Sequence, residues 1–181
     1  MITYGTPSRN ELGEDISVHH QPDGPAFDIV LIVHVGCVVV SLVTLVASVT
    51  TASRLRTVLG GATALPDAVA RYFRPGLNWA GRSVYGVPVF GFLLLALSHG
   101  AYSLHDGWVV AGLIILVGVV VVAEGLLWPA ERRLQVAVAP LRQGGVPAGE
   151  EVLRDTTTMV VSGSLALVLV ALGSALMVAQ P

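Results

Sequence analysis

The 181-residue chain contains no lysine, a single cysteine, and only 12% charged residues against about 25% in typical soluble domains. One cysteine, Cys37, cannot close an internal disulfide, which excludes a disulfide-stapled secreted domain. Ten arginines against twelve acids leave a net charge of −2 and no basic face for a nucleic acid. A hydrophobic share of 54% with mean hydropathy +0.75 excludes a disordered chain. Catalytic signatures are also missing: no Walker loop, no dinucleotide-binding glycine motif, no HExxH, and no serine in a nucleophile-elbow setting. An enzyme with its own water-soluble active site has no room here.

What is present is uncharged length. No charge occurs between Asp28 and Arg54, between Arg82 and Asp106, between Asp106 and Glu124, or after Asp155. Each gap holds a run of about 20 mostly apolar residues, enough to cross ~30 Å of hydrocarbon at ~1.5 Å per residue. None of these runs alternates polar and apolar residues as a barrel strand does. The expected fold is therefore all-α: a polytopic membrane protein with a four-helix transmembrane domain over 29–179. Its spans are predicted at about 29–52, 83–104, 108–128 and 157–179, behind an acidic extracytoplasmic tail, 1–28.

The arginines orient it. Segment 53–82 carries Arg54, Arg56, Arg71, Arg74 and Arg82, and segment 129–156 carries Arg132, Arg133, Arg142 and Arg154. The positive-inside rule makes that side cytoplasmic and places both termini outside. The tail has no basic stretch followed by an apolar one, so no cleavable signal peptide is expected. In the first cytoplasmic loop, Leu65, Val69, Tyr72 and Phe73 share a face. This predicts a short interfacial helix over 65–74 on the inner leaflet, started by Pro66 and Asp67. Trp79 and Tyr85 fall near the headgroups. Gly149-Glu150-Glu151 places acids at a helix start, so the last helix is expected to begin inside the cytoplasm.

Along the first span His34, Cys37, Ser41, Thr44, Ser48 and Thr51 are spaced 3, 4, 3, 4, 3, which keeps them on one seam of a left-handed helix pair. In lipid such a line faces protein or a wet path. It is therefore either a packing seam, with hydroxyls bonding across helices or to their own carbonyls, or a polar route toward His34. The second span has a seam of its own: Tyr85, Pro88, Phe92, Leu95, His99 and Tyr102. Small residues recur in the third (Ala111, Gly118, Gly125) and fourth (Ser162, Ala166, Gly173, Ser174), as close transmembrane packing requires.

Three in-span groups carry candidate chemistry. His34 and His99 each lie about five residues from the outer end of their helix, and Cys37 follows His34 on the same face. The three could hold copper or zinc, and the two imidazoles could hold a haem iron if their helices stand diagonally in the bundle. Alternatively each histidine bonds a neighbouring helix and Cys37 fills space. Glu124, the one carboxylate inside a span, is either paired with Arg82 or Arg132 near the inner end, or a proton carrier. His19, His20, His105 and Asp106 are possible outer-surface ligands.

Leu31-Ile32-Val33-His34-Val35-Gly36 at the first span, the arginine-rich first loop and the Gly107-Trp108 entry to the third make residues 29–135 resemble the four-helix membrane proteins allied to the copper-resistance CopD family. Ser41-Leu42-Val43 stands where that family has Trp-x-Gly. The resemblance implies copper or haem b handling on the outer face. The Arg-only, Ala-, Val- and Gly-rich composition is similar to that of proteins from GC-rich bacteria, for which the plasma membrane is the expected location. Small-residue seams without a self-sufficient site point to a non-catalytic subunit that contacts the lipid bilayer and other membrane-protein subunits, such as those of a respiratory complex. The alternative is a redox or transport protein using His34 and His99.

Overall fold

The computed structural model describes residues 24–61, 65–98, 100–143 and 149–179, and all its regular elements are helices. Helix α1 spans Pro25–Leu59, α2 Asp67–Tyr72, α3 Gly86–Leu97, α4 Gly107–Val122, α5 Trp128–Val138 and α6 Gly149–Val178. Three continuous helices are long and apolar enough to cross a membrane: Pro25–Leu59, Gly107–Val138 and Gly149–Val178. The chain is thus a multi-pass membrane protein by length and composition. The remaining apolar helical segment, Gly81–Leu97, is shorter; it opens with a 3-10 turn over Gly81–Tyr85 and passes into α3. The acidic tail, apart from its last residues, and His19 and His20 lie outside the described residues, as do Gly144, Gly145 and Pro147 of the second loop.

Helix ends differ from the hydropathy boundaries for identifiable reasons. α1 begins at Pro25, whose fixed φ suits the first helical turn, and runs 35 residues, about 52 Å. It outlasts its predicted end at residue 52 because Ala52 and Leu55, both 0% exposed, bury into the protein core beyond the apolar run. The second apolar segment stops earlier than expected, at Leu97 instead of 104. Ser98 turns its hydroxyl onto the Leu95 carbonyl at 2.8 Å, and Gly100 takes φ +89, which ends the α-helical path. Tyr102 is consequently not on a helical seam; its ring meets Trp108 edge-on at 5.5 Å across the turn between α3 and α4.

The third span does not end at residue 128. It widens into a π turn over Ala123–Leu127, where the Trp128 N–H reaches the Ala123 carbonyl, and continues as α5. Pro129 accounts for this: it has no N–H to give the preceding turn and its ring crowds that turn's carbonyl, so a wider turn accommodates it. α6 starts at Gly149, in the acidic stretch expected to open it.

α1 packs most extensively against α6, and next against α3, while α4 lies on the other side of α6. The small residues permit these approaches. A Cβ on Gly163 would come 2.9 Å from Val49 Cγ2, so α1 and α6 meet there with no space for a methyl group. Gly173 packs on Ile115 and Gly112 on Met177, while Gly125 faces open space.

Burial is uneven. Leu55, Val69, Phe73, Leu134, Val138 and Met159, all nearly or wholly buried, cluster at the arginine-rich end, whereas α3 has no buried residue. Helix α2 belongs to that core: Val69 and Phe73 are 1% and 0% exposed. The expectation of an interfacial helix with its apolar face on the leaflet is therefore corrected. That face plugs the end of the bundle, where burying two large apolar side chains in protein costs α2 no packing against disordered lipid. Trp79, 76% exposed, does project outward.

Candidate functional site

The polar line of α1 faces α3 and the loop before it. His34 is buried against Gly91 and the Val87 backbone. Cys37 abuts Gly86, where a Cβ would lie 2.6 Å from its Sγ. The Ser41 hydroxyl donates to the Cys37 carbonyl at 2.7 Å and meets Ser83 Oγ at 2.9 Å. Thr44 bonds the carbonyls of Val40 and Ser41. Ser48 donates to the Thr44 carbonyl at 2.8 Å and meets the Tyr72 hydroxyl at 2.6 Å. Ser41, Thr44 and Ser48 thus spend their hydroxyls on backbone carbonyls or on groups of the neighbouring segment, which is how a polar side chain lowers its cost inside a bundle.

From Ser48 a second chain of groups runs inward. Asn78 Nδ2 donates to the Tyr72 hydroxyl at 3.5 Å and to Glu131 Oε1 at 3.4 Å. Its Oδ1 accepts from the Gly81 N–H at 3.2 Å, so this one side chain fixes the start of the 3-10 turn. Burial, with the Glu131 carboxylate beside it, raises the Tyr72 hydroxyl well above its usual pKa of 10.0. Between Ser41, Ser48, Asn78, Trp128 and Glu131 lies a partly enclosed space of about 20 Å³, room for a single water molecule.

Glu124 sits in the π turn with a different set of partners. It accepts a hydrogen bond from the Tyr85 hydroxyl and is 3.4 Å from Arg82 Nη1. The Arg82 guanidinium stacks over the Trp128 ring, 3.6 Å from its centroid, and Tyr85 packs on the same ring at 5.5 Å. Opposite charge, a hydroxyl donor and a cation–π contact together hold Arg82 in place. Farther along, Arg133 Nε and Nη2 reach Asp155 at 3.0 Å and tie α5 to α6.

The site residues read from sequence therefore separate. His34 and Cys37 line one face of the α1–α3 contact. Glu124 and Arg82 pair with each other, between the π turn and the 3-10 turn. His99 lies outside the described residues, and His105 and Asp106 lie in the turn between α3 and α4, where Asp106 accepts from the Ser103 N–H. Among the described residues no three His, Cys, Asp or Glu side chains come together as a metal site. The donor set within reach is His34, whose buried Nδ1 has no hydrogen-bond partner, with Cys37 next to it on the stripe. Direct contact of α1 with α3 at Gly86 and Gly91 leaves no gap for a haem plane between those two helices.

Tyr72, Asn78, Ser83, Trp128 and Glu131 were not expected as members of a polar site. Glu131 had no usable signal: it follows Glu124 by seven residues, but the π turn between them shifts the helix phase, so Glu124 is half exposed and Glu131 buried. Asn78 had none; its role arises from the loop path. No family model, curated protein or solved structure matches this chain.

Proposed function

We propose that the protein is a non-catalytic, multi-pass subunit or accessory protein of a larger membrane assembly, such as a respiratory complex, in the plasma membrane of a bacterium. The observation that carries this reading is the use of the α1 polar line. His34, Cys37 and Ser41 pack on α3 and the turn before it, Ser48 bonds Tyr72 of α2, and Thr44 bonds carbonyls of α1 itself, so much of the line that a transported solute would follow serves as a joint. A protein whose interior is used for its own packing acts through its surface. Gly81–Leu97 supports a fourth crossing, because a 3-10 turn followed by twelve α-helical residues rises roughly 28 Å, close to the hydrocarbon thickness. Four crossings with the arginines inside put both termini outside.

Extraction of native membranes in a mild detergent, followed by native electrophoresis, tests this. The chain should migrate within an assembly far larger than itself, and its deletion should lower the level of that assembly. A lone monomer, with every membrane complex intact after deletion, overturns the reading. Reporter fusions near residue 61 and at each terminus test the orientation.

A second reading rests on His34: a buried imidazole beside the Val87 backbone, whose Nδ1 makes no hydrogen bond of good geometry, with a thiol on the same stripe, suits a soft metal ion such as copper(I). Metal analysis and an optical spectrum of the purified protein decide it. Stoichiometric copper that is lost in H34A supports it; neither copper nor a Soret band ends it.

A further inference from the structure

On the arginine-rich side, next to α2, an open cleft of about 390 Å³ is lined by Arg71 and Arg74, by the Pro75–Asn78 loop and Gln135, and on its membrane side by Thr44 and Ala47 of α1. Its size falls within the ~300–1,000 Å³ range of small-ligand sites. Neither arginine makes an ion pair among the described residues, where the pairs are Arg82–Glu124 and Arg133–Asp155. No carboxylate lines the cleft; Glu131 lines the neighbouring small space with Asn78. The floor is fixed, because Gln135 Nε2 donates to the Gly76 carbonyl at 3.2 Å and Asn78 is held by its own three bonds. One helical turn back along the same face of α1 from Thr44 and Ala47, Val40 and Val43 are exposed.

Two uncompensated guanidinium groups at the water-facing end and an apolar surface at the other match one kind of molecule. We propose that this cleft binds an anionic phospholipid, its phosphodiester on Arg71 and Arg74 and its acyl chains along α1. Guanidinium presents paired donors to phosphate oxygens, and basic pockets beside transmembrane helices take such headgroups. Leu77 and Trp79, both exposed, flank the site at the depth where the chain enters the interface. The proposal depends on the orientation above only for which leaflet supplies the lipid; binding itself is the same whether the protein is a subunit or stands alone.

Native mass spectrometry of the full-length protein, titrated separately with phosphatidylglycerol, phosphatidylcholine and inorganic phosphate, tests it. One phosphatidylglycerol should bind per chain, in preference to phosphatidylcholine. R71Q/R74Q should weaken it by about 25-fold, roughly five-fold per arginine. R71K/R74K, which keeps both charges but loses the paired donors, should fall between the wild type and R71Q/R74Q. R54Q/R56Q, outside the cleft lining and about two turns or more farther along α1, should weaken binding far less than R71Q/R74Q. Ala47→Trp, which fills the apolar end of the cleft, should reduce lipid binding and covers the case in which the arginine variant fails to fold. Equal affinity for the two lipids, or equal loss in R54Q/R56Q, would show only general attraction to lipid and overturn the proposal. Displacement of the lipid by millimolar inorganic phosphate would overturn it too, in favour of a free-phosphate site.

Discussion

Gly86→Ala is the sharpest test of whether the polar line on α1 is a joint. The added Cβ would stand 2.6 Å from Cys37 Sγ and 3.4 Å from Cys37 Cβ, against an ordinary contact of about 3.5–4.0 Å. Overpacking of this kind costs about 1–3 kcal/mol. Cys37 can ease it by swinging Sγ to another rotamer, but its Cβ cannot move without α1, so the expected cost sits near the lower end of that range. Replacing glycine by alanine in a helix returns up to about 1 kcal/mol whatever the surroundings. Gly36→Ala measures this background, because a Cβ there meets nothing within 4 Å. The measurable quantity is the difference between the two variants, about 1–2 kcal/mol in favour of Gly36→Ala. Adding Cys37→Ala to Gly86→Ala removes the colliding sulfur and should recover most of that difference. Reversible unfolding in mixed detergent micelles, followed by circular dichroism, gives all four corners of the cycle. If Gly86→Ala is as stable as Gly36→Ala, or if Cys37→Ala does not restore it, Cys37 is not packed as described and the joint reading of the stripe fails.

Three further outcomes follow from the same contacts. Gly163→Ala should destabilise by about 1–3 kcal/mol before the same glycine correction, because Val49 is β-branched and cannot turn away; Val49→Ala should relieve it in the same unfolding assay. Arg82→Ala should cost about 1–2 kcal/mol by losing its stack on Trp128, and Glu124→Gln, which keeps an acceptor for Tyr85, should cost less; the reverse order in thermal melts would refute the assigned geometry. Tyr72 is held neutral, with its pKa raised above the unfolded value of 10.0, so the folded state retains a proton that the unfolded state loses and stability should fall as pH rises through 10. Tyr72→Phe should flatten that decline, and the tyrosinate absorbance gained between about pH 9 and 11 should be the same in wild type and variant.

Much of the architecture was readable because lipid imposes a single strong rule, that backbone polar groups must be satisfied within helices. Charge gaps located three long spans and the shorter fourth segment, and the acids at Gly149-Glu150-Glu151 marked the start of α6. The boundaries were less legible. Hydropathy ends α1 at residue 52, yet Ala52 and Leu55 are buried by protein, which a lipid-based criterion does not see. Leu65, Val69, Tyr72 and Phe73 correctly share a face, but nothing local distinguishes a face meant for a leaflet from one meant for a core. Glu124 and Arg82 were recognisable as a possible pair from depth alone, whereas Asn78 meets Glu131, and Ser83 meets Ser41, only because the segment after α2 folds back across α1.

Sequence alone determined that the chain is helical, multi-pass, poor in charge and asymmetric in arginine, because those properties depend on composition and on a spacing that water and hydrocarbon enforce residue by residue. Tertiary structure decided what the few remaining polar groups are for. Whether a hydroxyl lines a path or closes a joint depends on which helix stands opposite it. Whether Arg71 and Arg74 are ordinary surface charges or the mouth of a cleft depends on where the Pro75–Asn78 loop runs. Those are relations between distant segments, set by packing at Gly86, Gly91 and Gly163 and by the turn at Pro129.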